Sequence, residues 1–404
     1  MYELPGPLSS GKAQLFGLLE QYLSYSKSLP LTIDLHAFGP PGLGTHDALS
    51  SGRVTGRFLN TMSGILTLLS IQMYRWREVV VALDQDLLKR FPDVTVIPIP
   101  RSLPLLESLS IILDEFDDSV MSDGWYLPLS GDSLGTAPLL RRLFIPHSPV
   151  VEELLYFPWS QLTSLTISEL KDEFCDVLKP CSMLQSLRIL HYSCGTDIPN
   201  ALDHPYLLPA LTRLEICMSN FHSDVVNIPN RLDVFELLTL PSLSTLIITA
   251  CGVIDLASRP TPEWNHETFE WMMERGSFAD TLKTLSISDI NISLEKMKEL
   301  LLLTPSLTHF SYLSSHPKEH HPMPSLIGYI NSSLPYLTHL ELFLPSRLDN
   351  KILKAVCVML LDSRIEYFKL KVLPDTEGDQ LDSMACFEAL GRHPGNNYSI
   401  IFDK

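Results

Sequence analysis

This sequence predicts an α/β fold in which a short strand and a return segment alternate along the chain, and three observations carry that expectation. The hexamer L-x-x-L-x-[L/I] occurs at Leu162–Ile167 and again at Leu184–Ile189, 22 residues later. Its end alternates, so Leu165 and Ile167 share one side of a strand while Ser164 and Thr166 share the other. Between the two copies, Phe174, Val177 and Leu178 fall at helical spacing and Pro180 closes the run. One such unit is too small to bury its apolar side alone and needs neighbours stacked against it.

The same hexamer frame begins at Leu106, Leu140, Leu162, Leu184, Leu211, Leu243, Leu282, Leu307, Leu337 and Ile365. These ten copies are separated by steps of 34, 22, 22, 27, 32, 39, 25, 30 and 28 residues. The short steps fall within the roughly 20–29 residues of a leucine-rich repeat, and the long ones imply inserted loops. Most copies carry Pro, Ser or another turn former two residues earlier. The expected architecture is a leucine-rich-repeat solenoid, with a curved parallel sheet on the concave side and helices and irregular returns on the convex side. It is read as one domain over 1–404, with atypical units in 1–102, regular repeats in 103–371 and a capping unit in 372–404.

In chain order, residues 12–26 place Leu15, Leu18, Leu19, Tyr22 and Tyr25 on one helical face. Leu29–Leu35 alternates like a strand, and Gly39–Gly44 reads as a loop. A second helical stretch with Leu59, Met62, Ile65, Leu66 and Leu69 leads into Trp76–Val81, a degenerate repeat strand. An acidic insertion spans Asp114–Asp132, and another, Val253–Asp280, holds a helix around Phe269, Met272 and Met273 ended by Gly276. Ser293 caps a helix with Leu294, Met297, Leu300 and Leu301 inward and Pro305 beyond its end. Further helices are expected from Asp349, with Ile352, Leu353, Val356, Met359 and Leu360 inward, and near Met384, Phe387 and Leu390. A capping strand follows with Tyr398, Ile400 and Phe402.

Apolar residues make up 45% of the 404, enough for a continuous core, while the formal net charge is −17. That balance argues against a nucleic-acid partner and against an anionic membrane surface. No stretch of 18 apolar residues offers a membrane span. The opening residues MYELPGPLSSGK lack the pattern of a signal peptide. The seven cysteines, odd in number and widely spaced, read as reduced thiols. The expected location is cytoplasmic or nuclear.

Chemistry is sparse. Gly131-Asp132-Ser133-Leu134-Gly135 satisfies G-x-S-x-G and would make Ser133 the nucleophile of a serine esterase. A nucleophile elbow needs a strand before the serine and a helix after it. Here Thr136-Ala137-Pro138 runs directly into the strand at Leu140, so the esterase is the distant alternative. The carboxylates of Asp114, Glu115, Asp117, Asp118 and Asp123 lack the Gly and Glu spacing of a calcium loop. His316, His320 and His321 lie in a Pro-bounded loop without a fourth metal ligand. No phosphate loop, H-E-x-x-H or paired-cysteine motif is present, and neither catalysis nor a cofactor is expected.

What remains is surface. Side chains flanking the second and third apolar positions of each hexamer point to the open sheet face. Arg142, Phe144, Arg188, Arg213, Glu215 and Ile247 occupy it in the earlier copies. His309, His339, Glu341, Phe343, Tyr367 and Lys369 occupy it in the later ones, with Phe343 expected just past its strand. Small polar residues fill the middle. Arg, Tyr and other aromatic residues dominate interface energetics when desolvated, so these twelve are the candidate protein-binding residues.

The chain also resembles the F-box/leucine-rich-repeat-like proteins expanded in mushroom-forming fungi. The resemblance rests on LEQYLSYSKSLPLTIDL (Leu19–Leu35), YRWREVVV (Tyr74–Val81), LPLLESLSI (Leu103–Ile111), APLLRRLFI (Ala137–Ile145) and PWSQLTSLTI (Pro158–Ile167), continued by the later repeats. It implies a protein–protein interaction module, the substrate-binding repeat region of an F-box-type ubiquitin-ligase receptor in an SCF complex. An F-box supplied upstream would bind the cullin-ligase adaptor; in this chain Leu4–Leu8 is only a faint echo of that module. The alternative is a leucine-rich-repeat scaffold that acts without a ligase. The repeat Asn usual at the ninth position is replaced by Leu170, Ser219 and Cys251.

Overall fold

The computed structural model describes residues 10–37, 61–62, 64–83, 102–113, 137–145, 157–167, 177–192, 205–219, 234–251, 262–313, 323–344, 360, 364–372 and 397–402. The chain divides into two compact units, Met1–Ser168 with Asp176–Cys181, and Glu169–Cys175 with Ser182–Lys404. In the first, helix α1 (Ser10–Tyr25) precedes β1 (Leu31–Ala37), β2 (Trp76–Leu83), β3 (Ser108–Leu113), β4 (Arg142–Ile145) and β5 (Ser164–Ile167). Each of these strands pairs with the next, always parallel.

The second unit runs β6 (Ser186–Tyr192), β7 (Tyr206–Leu207), β8 (Arg213–Ser219), α2 (Val234–Leu237), β9 (Leu238–Thr239) and β10 (Thr245–Cys251). It continues with α3 (His266–Gly276), β11 (Thr284–Ser288), α4 (Leu294–Leu303), β12 (His309–Leu313) and α5 (Met323–Ser333). Three strands complete it, β13 (His339–Leu344), β14 (Tyr367–Val372) and β15 (Asn397–Phe402). Its sheet is parallel in the order β6-β8-β10-β11-β12-β13-β14-β15, and β7 and β9 form a separate short parallel pair. The fold is α/β.

Burial explains why each hexamer becomes a strand. In all ten copies the three apolar positions are at most 3% exposed, and the larger variants Phe310, Tyr312 and Phe368 are as well hidden as the leucines. They meet like for like: Leu187 lies opposite Leu214, Leu214 opposite Leu246, and Leu246 opposite Leu285. In the first unit Leu109, Leu143 and Leu165 do the same.

The frame extends further back than the hexamer. A turn closes three residues before the first leucine, as in Leu106 N to Leu103 O (3.2 Å), Leu211 N to Leu208 O (3.2 Å) and Leu337 N to Leu334 O (3.2 Å). Leu103, Leu208 and Leu334 are themselves buried. Pro104, Pro209 and Pro335 occupy the next position, where their fixed φ suits the turn. A second linkage runs between turns. The carbonyl of Thr308 accepts from both Thr338 N and His339 N at 3.0 Å, and from Thr338 Oγ1 at 3.3 Å. The same arrangement joins Thr308 to Lys283 O (3.1 Å), Ser244 to Thr212 O (3.0 Å) and Thr212 to Gln185 O (3.1 Å). Where the residue after the first leucine is Thr or Ser, its hydroxyl thus ties that turn to the one before.

The first helix forms where its spacing predicts, but it buries a different face. Phe16 and Leu23 are inside, whereas Leu15 (46%), Leu18 (64%), Tyr22 (64%) and Tyr25 (73%) are exposed. Two apolar stripes compete on this helix, and the aromatic Phe16 takes the inward place. Met62, Leu66 and Leu69 of the next helical stretch are buried as expected. Arg75 locks the end of α1. It is 1% exposed, with Nε donating to Leu29 O (2.9 Å), Nη1 to Leu23 O (3.4 Å) and Gln72 Oε1 (3.0 Å), and Nη2 to Ser26 Oγ (2.7 Å). A buried cation here meets the negative end of the helix dipole, and those carbonyls do the work of a counterion.

In the second unit, Phe235, Trp264, Phe269 and Phe278 pack edge to face or tilted, at ring separations of 5.1–6.2 Å. Gly276 does not end α3 by adopting a positive φ; Ser277 does (φ 52°), its N bonding Met273 O at 2.7 Å. Gly276 serves close approach instead, since a Cβ there would sit 2.7 Å from the Phe278 ring and 3.1 Å from Leu240 O. Ser293 caps α4 through Lys296 N, and Met297, Leu300 and Leu301 are buried, as the spacing predicts. Of the helix expected from Asp349 only Leu360 is described, and it is buried. The helix near Met384 and the loop Gly39–Gly44 lie outside the described residues. Burial pushes the Cys181 thiol up to about 12. Cys217 is disulfide-bonded, a departure from the reading of the cysteines as reduced thiols.

Leu214→Ala should lower the unfolding free energy by about 3 kcal/mol in urea titrations, through lost burial and the cavity left behind. Leu18→Ala should change it by less than about 0.5 kcal/mol. Arg75→Met should cost about 2 kcal/mol or more, because it strands buried carbonyls, and should speed amide exchange at the end of α1 first.

Candidate functional site

Because side chains alternate across a strand, burying the second and third apolar positions forces the residue before the second and the residue between the two onto the opposite side. Strand registers in the second unit align these residues into two rows. Ser186, Arg213, Thr245, Thr284, His309, His339 and Tyr367 lie opposite one another in one row. Arg188, Glu215, Ile247, Ser286, Ser311, Glu341 and Lys369 form the other. All are partly or fully exposed, whereas their strand neighbours in the frame are buried.

At one end of the rows, Glu215 is held between two guanidiniums. Arg188 Nε lies 2.9 Å from Oε1 and Arg213 Nη2 lies 3.2 Å from Oε2. Glu215 is 22% exposed, its partners 52% and 47%. At the other end, the His309 and His339 rings stack at 4.1 Å and 20°, and Tyr367 continues the stack at 5.5 Å and 23°. The Tyr367 hydroxyl bonds Glu341; burial and that carboxylate raise the phenol's pKa above its ordinary value. Between the two ends lies a floor of Thr245, Ile247, Thr284 and Ser286.

Each imidazole has a hydroxyl at 2.8 Å from Nδ1, Thr308 for His309 and Thr338 for His339. Each hydroxyl also faces the carbonyl of the preceding turn. It therefore serves either state of the ring, donating to a bare Nδ1 or accepting from Nδ1–H while its own proton goes to the carbonyl. Burial, and then the neighbouring His339, lower the His309 pKa. Parallel stacked rings do not converge their in-plane lone pairs on one point, so the pair is not a chelating site. Among the described residues no group of three or more His, Cys, Asp or Glu could hold a metal.

In the first unit, Arg142 reaches across Ser108 to Glu78, Nη2 to Oε1 at 2.8 Å. Phe144 is partly buried, beside Ser110 and Thr166. Phe343, expected just past its strand, lies within β13 opposite Leu313 and is partly buried. Ser133, the acidic insertion Asp114–Asp132 and the histidines 316, 320 and 321 lie outside the described residues. Arg188, Arg213 and Glu215, and His309, His339 and Tyr367, are each legible in the sequence as displayed residues, but not as two touching trios. The signal was present in part: Arg188 and Glu215 hold one hexamer position in successive copies, and His309, His339 and Tyr367 hold another.

No helix among the described residues is long and apolar enough to cross a membrane. No family model matches the chain, and none of the curated proteins matches it.

A group whose folded pKa is depressed contributes stability that is present above its unfolded value and is lost as the pH falls through the folded one. For His309 the loss begins near an ordinary histidine value of about 6.5. Urea unfolding at successive pH values should show acid destabilisation that is shallower in His309→Gln. An NMR titration should place the His309 pKa below that of an unfolded-chain histidine.

Proposed function

We propose that the chain is a leucine-rich-repeat solenoid whose open sheet face binds another protein, and that it forms the substrate-binding repeat region of an F-box-type ubiquitin-ligase receptor. One observation carries the binding half of this reading. The two rows on the second unit gather Arg, His and Tyr side chains at adjacent positions on a scaffold whose other side is occupied by the core. Tyr and His rings supply large contact area at little cost in rotamer freedom, and Arg supplies directed hydrogen bonds, which is why such side chains anchor interfaces. The ligase half is supported by the resemblance of the repeat segments to the fungal F-box/leucine-rich-repeat-like proteins. The chain holds the client, and transfer chemistry belongs to the other subunits.

The experiment is immunoprecipitation of the tagged native protein beside a His309→Ala/Tyr367→Ala variant shown by circular dichroism to be folded. With an F-box supplied upstream, the adaptor and the cullin should come down with both forms. A client should come down with the parent alone, and its half-life should lengthen when the variant replaces the parent. Absence of the adaptor from both would leave a ligase-independent scaffold. An identical set of partners for parent and variant would overturn the binding face.

A further inference from the structure

We propose that Arg188 and Arg213 form a receptor for side-chain carboxylates, so that the segment held by the second unit is an acidic stretch of a partner protein. This rests on the open face being a protein-binding one. A guanidinium carries five N–H donors in a planar fork that matches a carboxylate with two parallel hydrogen bonds. Among the described residues, Glu215 is the side-chain partner of both arginines, and it uses Nε of Arg188 and Nη2 of Arg213. The remaining donors of both forks face half-exposed surroundings. Glu215 also steadies the two cations next to each other on β6 and β8, which lowers the entropy lost when a second carboxylate joins them.

The neighbouring strands leave room for such a segment. Thr245, Ile247, Thr284 and Ser286 form a low floor between the arginines and His309. From β8 to β12 is three strand steps, about 14 Å at the usual spacing. That width admits an extended chain, or a helix of about 10–12 Å.

Charge selects the partner. The chain holds 47 acidic residues against 30 basic ones, yet the two rows carry only Glu215 and Glu341. Both are engaged, Glu215 by the arginines and Glu341 by the Tyr367 hydroxyl. At the arginine end Arg188 and Arg213 face one carboxylate, Glu215, so that end of the face is locally positive on a negative protein. At physiological ionic strength charges beyond about 8 Å are screened, and the local balance governs what docks. A basic segment would set its cations against the arginines with no unengaged carboxylate on the rows to receive them.

The test is selection of displayed random twelve-residue peptides against the full-length chain, followed by binding measurements on synthetic peptides. Selected sequences should be enriched in Asp and Glu. Their affinity should fall at least tenfold in Arg188→Gln and in Arg213→Gln, and again when the peptide's acids are replaced by Asn and Gln. Both substitutions are at half-exposed positions, and circular dichroism should show each variant folded before its affinity is read. Peptides that bind without acidic enrichment, or keep their affinity in both arginine variants, would overturn the carboxylate receptor while leaving the binding face standing. If no selected peptide lost affinity in either arginine variant or in His309→Ala/Tyr367→Ala, the carboxylate receptor and the binding face would both fall.

Discussion

A single turn carbonyl in each repeat sets the register on which the molecule depends. Thr308 O accepts two backbone N–H groups and a hydroxyl from the next turn, and Thr338 O in its own place accepts from Glu366 N and Tyr367 N. The bonds are ordinary in strength, each contributing about 1 kcal/mol. Their consequence is larger than their energy. A slip of one residue would turn every apolar row of a strand onto the open face and every Arg, His and Tyr into the core. Fixing the turn therefore fixes which side chains the strand hides and which it displays.

The displayed rows inherit their geometry from this registration. His309, His339 and Tyr367 stack because three turns of unequal return length deliver the same hexamer position to the same height. Arg188 meets Glu215 for the same reason, whereas Arg213 reaches that carboxylate along its own strand, two residues away. Loop length enters only weakly into the free energy of such a unit. A return of 39 residues between Leu243 and Leu282 is thus tolerated without disturbing the ladder between β10 and β11.

The strands were legible because their signal is redundant. Apolar spacing and alternation coincide in every hexamer and a turn former precedes most of them, and all ten are strands with the expected side hidden. The buried residue three places earlier, as at Leu208 and Leu240, went unread because a lone leucine before proline carries no period of its own. Helix α1 was legible as a helix but not as an orientation. Leu15, Leu18, Tyr22 and Tyr25 make one stripe and Phe16 and Leu23 another, and periodicity does not say which faces the core. Arg75 was invisible for the opposite reason, since a lone arginine in sequence looks solvated and its partners at Leu23, Ser26 and Leu29 lie 46 to 52 residues away. The twelve surface candidates could be named from alternation, but pairing between copies is a property of columns, not of the chain read along its length.

Frame and display respond to different constraints. At the frame, Leu307-Phe310-Tyr312 replaces the leucine pattern and is still buried, so the core asks for apolar volume and tolerates its shape. At the displayed positions of neighbouring strands stand Thr, Ser, Ile, Glu, Arg and His, and none of them alters the ladder beneath. A surface built in this way can change its chemistry one residue at a time at small cost in stability, because the displayed side chains make few contacts that hold the fold. The stacked histidines are the exception that marks the limit. Their hydroxyl partners, Thr308 and Thr338, also bond the turn carbonyls, so that at these two repeats the display and the register share the same atoms.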